Sequence, residues 1–272
     1  MAINTSQTVT SADGTAIAYE SVGDGPALIL VDGALGFRQF GSSLELARLL
    51  APTCHVYAYD RRGRGESGDA QPVSLDREIE DIDALITKAG GSASLYGISS
   101  GGALALEAAA KLGDRVAKLV VYEIPYDASD AGIAAWRAYR ASLTPRIAED
   151  RRGDAAELFM RFVGASDDGV QGMRQSPVWS TFETVAPTLL YDAAALGDDR
   201  VVPADRAATV TAPTLVIDGG DSLEKMPFMR ASADELASVL PHAERRTLEG
   251  QWHDVDITVL APVLADFIAG AG

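Results

Sequence analysis

Residues 15–122 alternate short apolar runs with stretches of helical periodicity, and this alternation constrains the fold more than any other feature of the chain. The runs Ala27–Val31, His55–Tyr59 and Val116–Tyr122 have the length and composition of strands buried on both faces of a parallel sheet. Residues 74–88 have helical spacing instead. Strand–helix–strand alternation predicts right-handed βαβ units, and so an α/β fold whose mostly parallel, twisted sheet is flanked by helices.

The region between residues 127 and 205 interrupts this alternation with a mostly helical pattern, broken by prolines and glycines. Strand-like and helical runs resume near Thr214. We therefore expect residues 1–126 and 206–272 to form one core, and residues 127–205 to form a helical lid insert. Such a lid would cover the carboxyl ends of the strands, where open parallel sheets bind ligands. An independent second domain is the alternative, which the shortness of the segment disfavours.

Charge and composition exclude several classes of protein. The 272 residues include 23 Lys and Arg against 39 Asp and Glu, a formal net charge of −16. Because such a surface repels phosphate backbones and anionic lipids, we expect neither nucleic acid nor a membrane as a partner. Cys54 is the only cysteine, and no Cys/His cluster is visible, so we expect no disulfide and no metal site. The polar start lacks a signal-peptide pattern and no apolar run approaches about 20 residues, which predicts a cytoplasmic protein.

A G-x-S-x-G segment occupies residues 97–101, directly after a strand-like run and before an Ala-rich helical run. In this setting the serine lies on a sharp turn that raises its hydroxyl above the sheet. The positive end of the following helix would face the same point and stabilise an oxyanion there. Ser99 is therefore the candidate nucleophile, and an ordinary glycine-rich turn is the alternative.

A serine hydroxyl needs a base to become a nucleophile, and the chain has three histidines. His55 begins one predicted strand, and His242 follows a predicted helix. His253 instead follows the predicted strand Ala243–Leu248, at the carboxyl edge where Ser99 is expected. His253 is therefore the candidate base.

Several ordered motifs together make the sequence resemble the α/β-hydrolase family over essentially its whole length. They are the GISSGG turn, the late GQWHD histidine, the YDRRGRGES loop and the apolar run that ends in VDG. The resemblance implies a cofactor-independent serine hydrolase with the chain order Ser, acid, His. It also implies an oxyanion hole that combines the Ser100 amide with an amide of Gly33 or Ala34. Many members carry His-Gly where this chain has Asp32 and Gly33, which keeps the backbone amide and adds a carboxylate near the site.

The acid of the triad has two candidate locations under this resemblance. The family usually places it after the strand at residues 214–217, but a serine holds that position and Asp221 lies one residue early. Some members carry it after the next strand beyond the elbow helix, where this chain has Glu123 among apolar residues. We favour Glu123, because a carboxylate there can hold the tautomer of His253 and stabilise its imidazolium. Asp221 is the second choice, and the remaining alternatives are Asp218, Asp127 or no acid at all.

A narrower likeness concerns zearalenone-type lactonases. The DGxLG segment, the G-x-S-S-G turn, the Glu-x-Pro segment and the Pro-Val-Trp stretch of the lid are similar to segments of that subgroup. Because the acid of that subgroup lies in its Glu-x-Pro segment, the likeness also favours Glu123. Trp179, in the loop-like Pro-Val-Trp stretch, is the expected substrate contact.

These features together predict a serine-dependent hydrolase that cleaves a small, apolar carboxylic ester or lactone through an acyl-enzyme, with a homodimer as a possible assembly. Haloalkane dehalogenases and epoxide hydrolases carry aspartate at the nucleophile position, so Ser99 argues against both. The alternatives on this fold are a cofactor-free perhydrolase, a non-hydrolytic biosynthetic catalyst and a ligand-binding protein. The arginine-rich residues 61–65 predict a structural turn, because no helix begins close enough to form a phosphate site.

Overall fold

The computed structural model describes residues 6–270, which are built around one eight-stranded sheet. Its order across the sheet is β1-β2-β4-β3-β5-β6-β7-β8. Strands β3 to β8 are mutually parallel, whereas β2 is antiparallel to both β1 and β4. The strands are β1 (Gln7–Thr10), β2 (Ala16–Val22), β3 (Ala27–Val31), β4 (His55–Tyr59), β5 (Ala93–Ile98), β6 (Val116–Tyr122), β7 (Thr214–Gly219) and β8 (Ala243–Leu248).

Twelve α-helices are present in the described residues, and they flank the sheet and fill the interval between β6 and β7. They are α1 (Ser43–Leu50), α2 (Leu75–Lys88), α3 (Ser100–Leu112), α4 (Asp130–Ala148), α5 (Arg152–Phe162), α6 (Asp167–Arg174), α7 (Trp179–Val185), α8 (Leu189–Leu196), α9 (Ala204–Ala207), α10 (Ser222–Lys225), α11 (Phe228–Val239) and α12 (Ile257–Ala269). The α/β fold class and its mostly parallel sheet are thus confirmed.

The core lies on both faces of the sheet, since successive side chains of a strand point to opposite sides. On β3, Leu28 and Leu30 face one apolar layer together with buried side chains of α1 and α12. Ile29 and Val31 face the other layer, which includes side chains of α2, α3 and α11. Both faces are therefore covered, as the continuous apolar runs predict.

Helices α4 to α8 (residues 130–196), here called the lid helices, lie between β6 and β7 in the chain. Their buried side chains, among them Trp136 and Leu189, belong to the same apolar layer as α2 and α3. The two ends of the segment meet where the Asp127 amide donates to the Arg200 carbonyl at 2.8 Å. A bilayer-crossing helix is absent from residues 6–270, because no helix there is both sufficiently long and sufficiently apolar.

Two local features differ from the sequence-based expectations. Strand β1, which pairs with β2 at the sheet edge, is short and mostly polar, and the sequence does not predict it. Trp179, expected in a loop-like stretch, is instead the first residue of α7. β1 is a strand because it pairs with β2, which its own sequence pattern does not indicate.

Candidate active site

Ser99 lies on a strained turn between β5 and α3. Its backbone dihedral angles are φ 57° and ψ −130°, a conformation that non-glycine residues adopt only when the surrounding structure imposes it. The turn is held by the Ser99 amide, which donates to the Tyr122 carbonyl at the end of β6 at 2.9 Å. The side chain is partly exposed. The geometry is therefore that of a nucleophile elbow.

Glycine at positions 97 and 101 makes this turn possible. A Cβ atom on Gly97 would lie 2.4 Å from the Gly101 carbonyl oxygen. A Cβ atom on Gly101 would lie 2.3 Å from the Val31 carbonyl oxygen, and 2.4 Å from that of Asp32. Because all these neighbours are backbone atoms, they cannot move aside as a side chain would. The start of α3 thus packs directly on the end of β3.

Replacing Gly101 by alanine is expected to lower the free energy of unfolding by about 3 kcal/mol or more, because backbone must shift to admit the methyl group. Urea titration of the purified variant measures this change. Gly172→Ala in α6 is the matched control: its added Cβ meets open space, so we expect a gain of about 0.5–1 kcal/mol. A Gly101→Ala variant with the stability of the wild type would contradict the packing described here.

Glu123, the first residue after β6, forms a hydrogen bond with His253. The distance from Glu123 Oε2 to His253 Nδ1 is 2.9 Å, and Oε1 accepts from the Gly219 amide at 2.8 Å. The Glu123 side chain is fully buried, whereas that of His253 is 35% exposed. An ionised carboxylate only accepts hydrogen bonds, so this contact assigns the imidazole proton to Nδ1 and leaves Nε2 as an acceptor. That is the tautomer a general base needs.

The loop that carries His253 crosses the end of β7 to reach Glu123. Gly219 leaves room for this crossing, because a Cβ atom there would lie 2.3 Å from the Gln251 carbonyl oxygen. The Tyr122 hydroxyl fixes the loop by donating to the Trp252 carbonyl at 2.5 Å. β5, which leads into Ser99, is paired with β6, which leads into Glu123. The structure therefore brings Ser99, Glu123 and His253 to the same carboxyl edge of the sheet.

The loop after β3 lies against the nucleophile. A Cβ atom built on Gly33 would be 3.1 Å from Ser99 Cβ and 3.7 Å from Ser99 Oγ. The Gly33 carbonyl accepts from Arg64 Nη1 at 2.5 Å and from the Gly36 amide at 3.3 Å. Because a trans peptide is planar, the Ala34 N–H must point away from those donors. No acceptor for the Ala34 or Ser100 amide lies within residues 6–270, so both are available as oxyanion donors.

A buried cluster that the sequence patterns do not indicate connects these donors. Asp192 of α8 accepts hydrogen bonds from Ser100 Oγ at 2.8 Å, from Arg61 Nη1 at 2.7 Å and from Arg64 Nη2 at 2.8 Å. Arg61 also pairs with both oxygens of Glu78. We call Ser100, Asp192, Arg61, Arg64 and Glu78 the Asp192 cluster. The arginine-rich turn thus has a structural role, as predicted, but its partners lie in the lid helices and in α2.

The other carboxylates considered as the acid have different surroundings. Asp221 is partly exposed, and no partner of its carboxylate is found in the described part of the chain. Asp127 accepts from the Ser129 hydroxyl and pairs with Arg200. Asp32 accepts from the Ser43 hydroxyl, and burial raises its pKa. The Asp32 carboxylate therefore bonds to α1 and not to the loop amides beside Ser99.

Asp218 is buried, and its carboxylate is bonded to side chains of β8 and α11. Its oxygens accept from Arg245 at 2.8 Å, from Thr247 at 2.6 Å and from Arg230 at 3.2 Å. Burial opposes ionisation of Asp218, but the hydrogen bonds from Arg245 and Thr247 outweigh it and hold the pKa below its ordinary value. A carboxyl of this kind stabilises the fold above its unfolded-state pKa, and the stabilisation disappears as the pH falls through the folded-state pKa.

We therefore expect Asp218→Asn to lower the free energy of unfolding by about 1–3 kcal/mol at pH 7. The difference from the wild type should shrink as the pH falls below about 4, where the wild-type carboxyl also takes up a proton in the unfolded state. Denaturation at a series of pH values measures it. Turnover at pH 7 should change by less than about threefold, and a large loss of kcat would show instead that Asp218 serves the reaction.

Trp179, the expected substrate contact, is engaged in packing between the lid helices. It is 6% exposed, its ring lies 6.1 Å from that of Phe182, and the Arg174 guanidinium lies 5.4 Å from its centroid. Phe182 in turn contacts Phe40, close after the loop beside Ser99. Phe182 thus contacts both Phe40 and Trp179, and a contact of Trp179 with substrate stays a prediction. Within residues 6–270, no group of three or more His, Cys, Asp or Glu side chains could hold a metal ion.

Comparison with known proteins identifies relatives over most of the chain. Residues 29–262 match the Alpha/beta hydrolase family. The chain is similar to an alpha/beta hydrolase from Sphaerobacter thermophilus, with 45% identity, a TM-score of 0.85, and coverage of 97% of this chain and 100% of that one. It has the fold of a thermophilic esterase from Thermogutta terrifontis, with 22% identity, a TM-score of 0.72, and coverage of 97% of this chain and 98% of that one.

A curated relative, a proline iminopeptidase from Pestalotiopsis fici, is 27% identical over 114 residues. The matched segment is 40% of this chain, and it spans 41% of that relative's length. The family match over residues 29–262 and the 45% identical structure agree with the α/β fold and the sheet described above. The chain therefore belongs to the alpha/beta hydrolase family.

Proposed function

We propose that the protein is a cofactor-independent serine hydrolase that cleaves a small, apolar carboxylic ester or lactone through an acyl-enzyme. The observation that carries the proposal is the hydrogen bond of 2.9 Å between His253 Nδ1 and Glu123, at the sheet edge where the Ser99 turn lies. A buried carboxylate, an oriented imidazole and a serine on a strained turn are the parts that acyl transfer requires.

The reaction begins when Ser99 Oγ attacks the carbonyl carbon and His253 Nε2 takes the hydroxyl proton. Glu123 stabilises the imidazolium that forms, because its second oxygen is the partner of Nδ1–H. His253 then returns the proton to the leaving alcohol oxygen, and the acyl group stays on Ser99. Water, deprotonated by the same imidazole, attacks the acyl-enzyme and releases the carboxylic acid. In a lactone, the alcohol and the acid remain parts of one product.

Charge on the carbonyl oxygen is stabilised by the amides of Ser100 and Ala34. Both amides have no acceptor within residues 6–270, and Ser100 begins α3, whose positive end adds to the field. The Gly33 amide is the neighbouring candidate, because the Asp32 carbonyl accepts from Arg61 on the far side of the same peptide. Each such donor is typically worth about 10²–10³ in rate.

The proposed substrate class rests on the resemblance to lactonases in the DGxLG, G-x-S-S-G and Glu-x-Pro segments. A fluorophosphonate probe, followed by mass spectrometry, should label Ser99 alone. A series of p-nitrophenyl esters and of lactones of increasing ring size then identifies the class that is turned over. Prolyl p-nitroanilide tests the activity named for the curated relative, and hydrogen peroxide with acetate tests peracid formation. Turnover of the anilide or peracid formation without ester or lactone cleavage would refute the proposal.

A further inference from the structure

Asp192 is the point where the lid helices meet the groups beside Ser99. It is 4% exposed and lies in the first turn of α8, within the otherwise apolar segment LLYDAAAL. Its Oδ1 accepts from Ser100, Arg61 and Arg64, and its Oδ2 accepts from Arg64. Arg64 makes a second contact at the start of α8, because its Nε donates to Thr188 Oγ1 at 3.0 Å, and Thr188 directly precedes the helix. Helix α8 is therefore fixed to the elbow and to the loop after β3.

The charges of the Asp192 cluster balance only when Asp192 is ionised. Arg61 and Arg64 are fully buried cations, and Asp192 and Glu78 are the carboxylates that face them. Burial opposes ionisation of Asp192, but the charges of Arg64 and Arg61 outweigh it and keep its pKa below the ordinary value. Removing one carboxylate would leave two neighbouring guanidinium groups with one counter-charge, in a site where water cannot screen them.

The positions of both proposed oxyanion donors depend on this balance. Ser100 Oγ is bonded to Asp192, so the residue whose amide faces the oxyanion is tethered through its side chain. Arg64 binds the Gly33 carbonyl, which fixes the direction of the Ala34 N–H on the other side of the peptide plane. If the Arg64 guanidinium moves, that peptide loses the strong donor that orients it. Oxyanion donors act only when their geometry is preorganised, so small displacements are costly.

We propose that Asp192 is a positioning residue through which the lid helices set the geometry of the oxyanion hole. It acts on the Ser100 amide through the Ser100 hydroxyl, and on the Ala34 amide through Arg64. This inference rests on the proposed function, since it assumes that these amides receive a developing negative charge. It assigns part of the catalytic apparatus to a helix that contributes neither the nucleophile, the acid nor the base.

The test compares Asp192→Asn, Ser100→Ala and Asp81→Asn. Asp81 is the matched control: it is a buried carboxylate paired with Arg62 of the same arginine-rich turn, and it touches neither Ser100 nor the loop after β3. The rate of fluorophosphonate labelling at Ser99 reports on oxyanion stabilisation independently of the natural substrate. Steady-state kinetics on the best ester or lactone give kcat and KM, and urea titration gives stability.

For Asp192→Asn we expect labelling and kcat to fall by about 10- to 100-fold, with KM within about threefold of the wild type. Ser100→Ala keeps the amide and the ion pairs and should lose about 3- to 10-fold. The labelling rate and kcat of the double variant Asp192→Asn/Ser100→Ala should be little lower than those of Asp192→Asn alone. Both changes remove the same contact, the hydrogen bond between Ser100 and Asp192. Asp81→Asn should lose stability but label at the wild-type rate. A merely structural role of Asp192 would lower stability without slowing the labelling of folded protein.

Wild-type labelling and turnover rates in folded Asp192→Asn would overturn the inference. If that variant does not fold, an unchanged rate in Ser100→Ala overturns it and a reduced rate supports it. If the wild type is labelled at Ser99 but cleaves no ester or lactone, the proposed function fails while the labelling rates still decide the role of Asp192. A wild type that resists the probe would overturn both.

Discussion

Replacing Ser99 by alanine is expected to lower kcat/KM for the best ester or lactone by at least about 10³-fold, mostly through kcat. The variant loses the atom that would form the acyl-enzyme, and the neighbouring hydroxyl of Ser100 is engaged with Asp192. What remains is the background rate that binding and the oxyanion donors supply to attack by water. Kinetics at saturating substrate, with labelling by the fluorophosphonate probe in parallel, measure both consequences.

The fold should not be affected by this change. Alanine keeps the Cβ atom, so the backbone strain at φ 57° is unchanged, and no hydrogen bond of Ser99 Oγ is found within residues 6–270. Stability within about 1 kcal/mol of the wild type is therefore expected. Ser222→Ala is the matched control, because Ser222 Oγ is buried near the same edge and has no partner among the described residues. Full turnover by Ser99→Ala would rule out the serine mechanism.

Most of the fold could be predicted because burial on both faces leaves a strong local signal. The predicted bounds of β4, β6 and β8 coincide with the observed strands, since each is a short run bounded by turns. β1 could not be predicted, because QTVT is short and mostly polar and becomes a strand only by pairing with β2. The helical insert could be predicted as helical, but the helix that begins at Trp179 could not.

The residues of the candidate site could be predicted where each of them follows the carboxyl end of a strand. Ser99, Glu123 and His253 each follow the carboxyl end of a recognisable strand, and parallel strands bring those ends together. Asp192 was not predictable in this way, because Arg61 and Arg64 lie more than 120 residues before it in the sequence. One signal was available: a lone acidic residue in the apolar helix LLYDAAAL is expected to be buried only if it is paired.

Backbone strain is concentrated around this site. Leu35, Ser99 and Glu123 all have positive φ, of 61°, 57° and 46°, and they follow β3, β5 and β6 in turn. Such conformations cost about 1–3 kcal/mol each and persist only where neighbouring contacts impose them. Here those contacts are the amide of Ser99 on Tyr122, the amide of Glu123 on Ile217 and the buried Asp192 cluster. Variants that weaken these contacts should therefore affect the geometry of the site before they affect the fold as a whole.

The second large effect is expected for Glu123→Gln, which should lower kcat by about 10³- to 10⁴-fold. Glutamine keeps the size of the side chain, and its carbonyl oxygen can still accept from the Gly219 amide. Its NH₂ group would then face His253 Nδ1 as a donor, so the imidazole would have to carry its proton on Nε2. That tautomer cannot accept the proton of Ser99, and the imidazolium would also lose its counter-charge.

Asp221→Asn is the matched comparison, because it makes the same chemical change at the other candidate acid. We expect its kcat to stay within about threefold of the wild type, since the Nδ1 partner of His253 is Glu123 and not Asp221. Rates of both variants, measured on the same substrate after circular dichroism has shown that each is folded, decide the assignment. A larger loss in Asp221→Asn would name Asp221 as the acid, and it would mean that the His253 loop changes its partner when substrate binds.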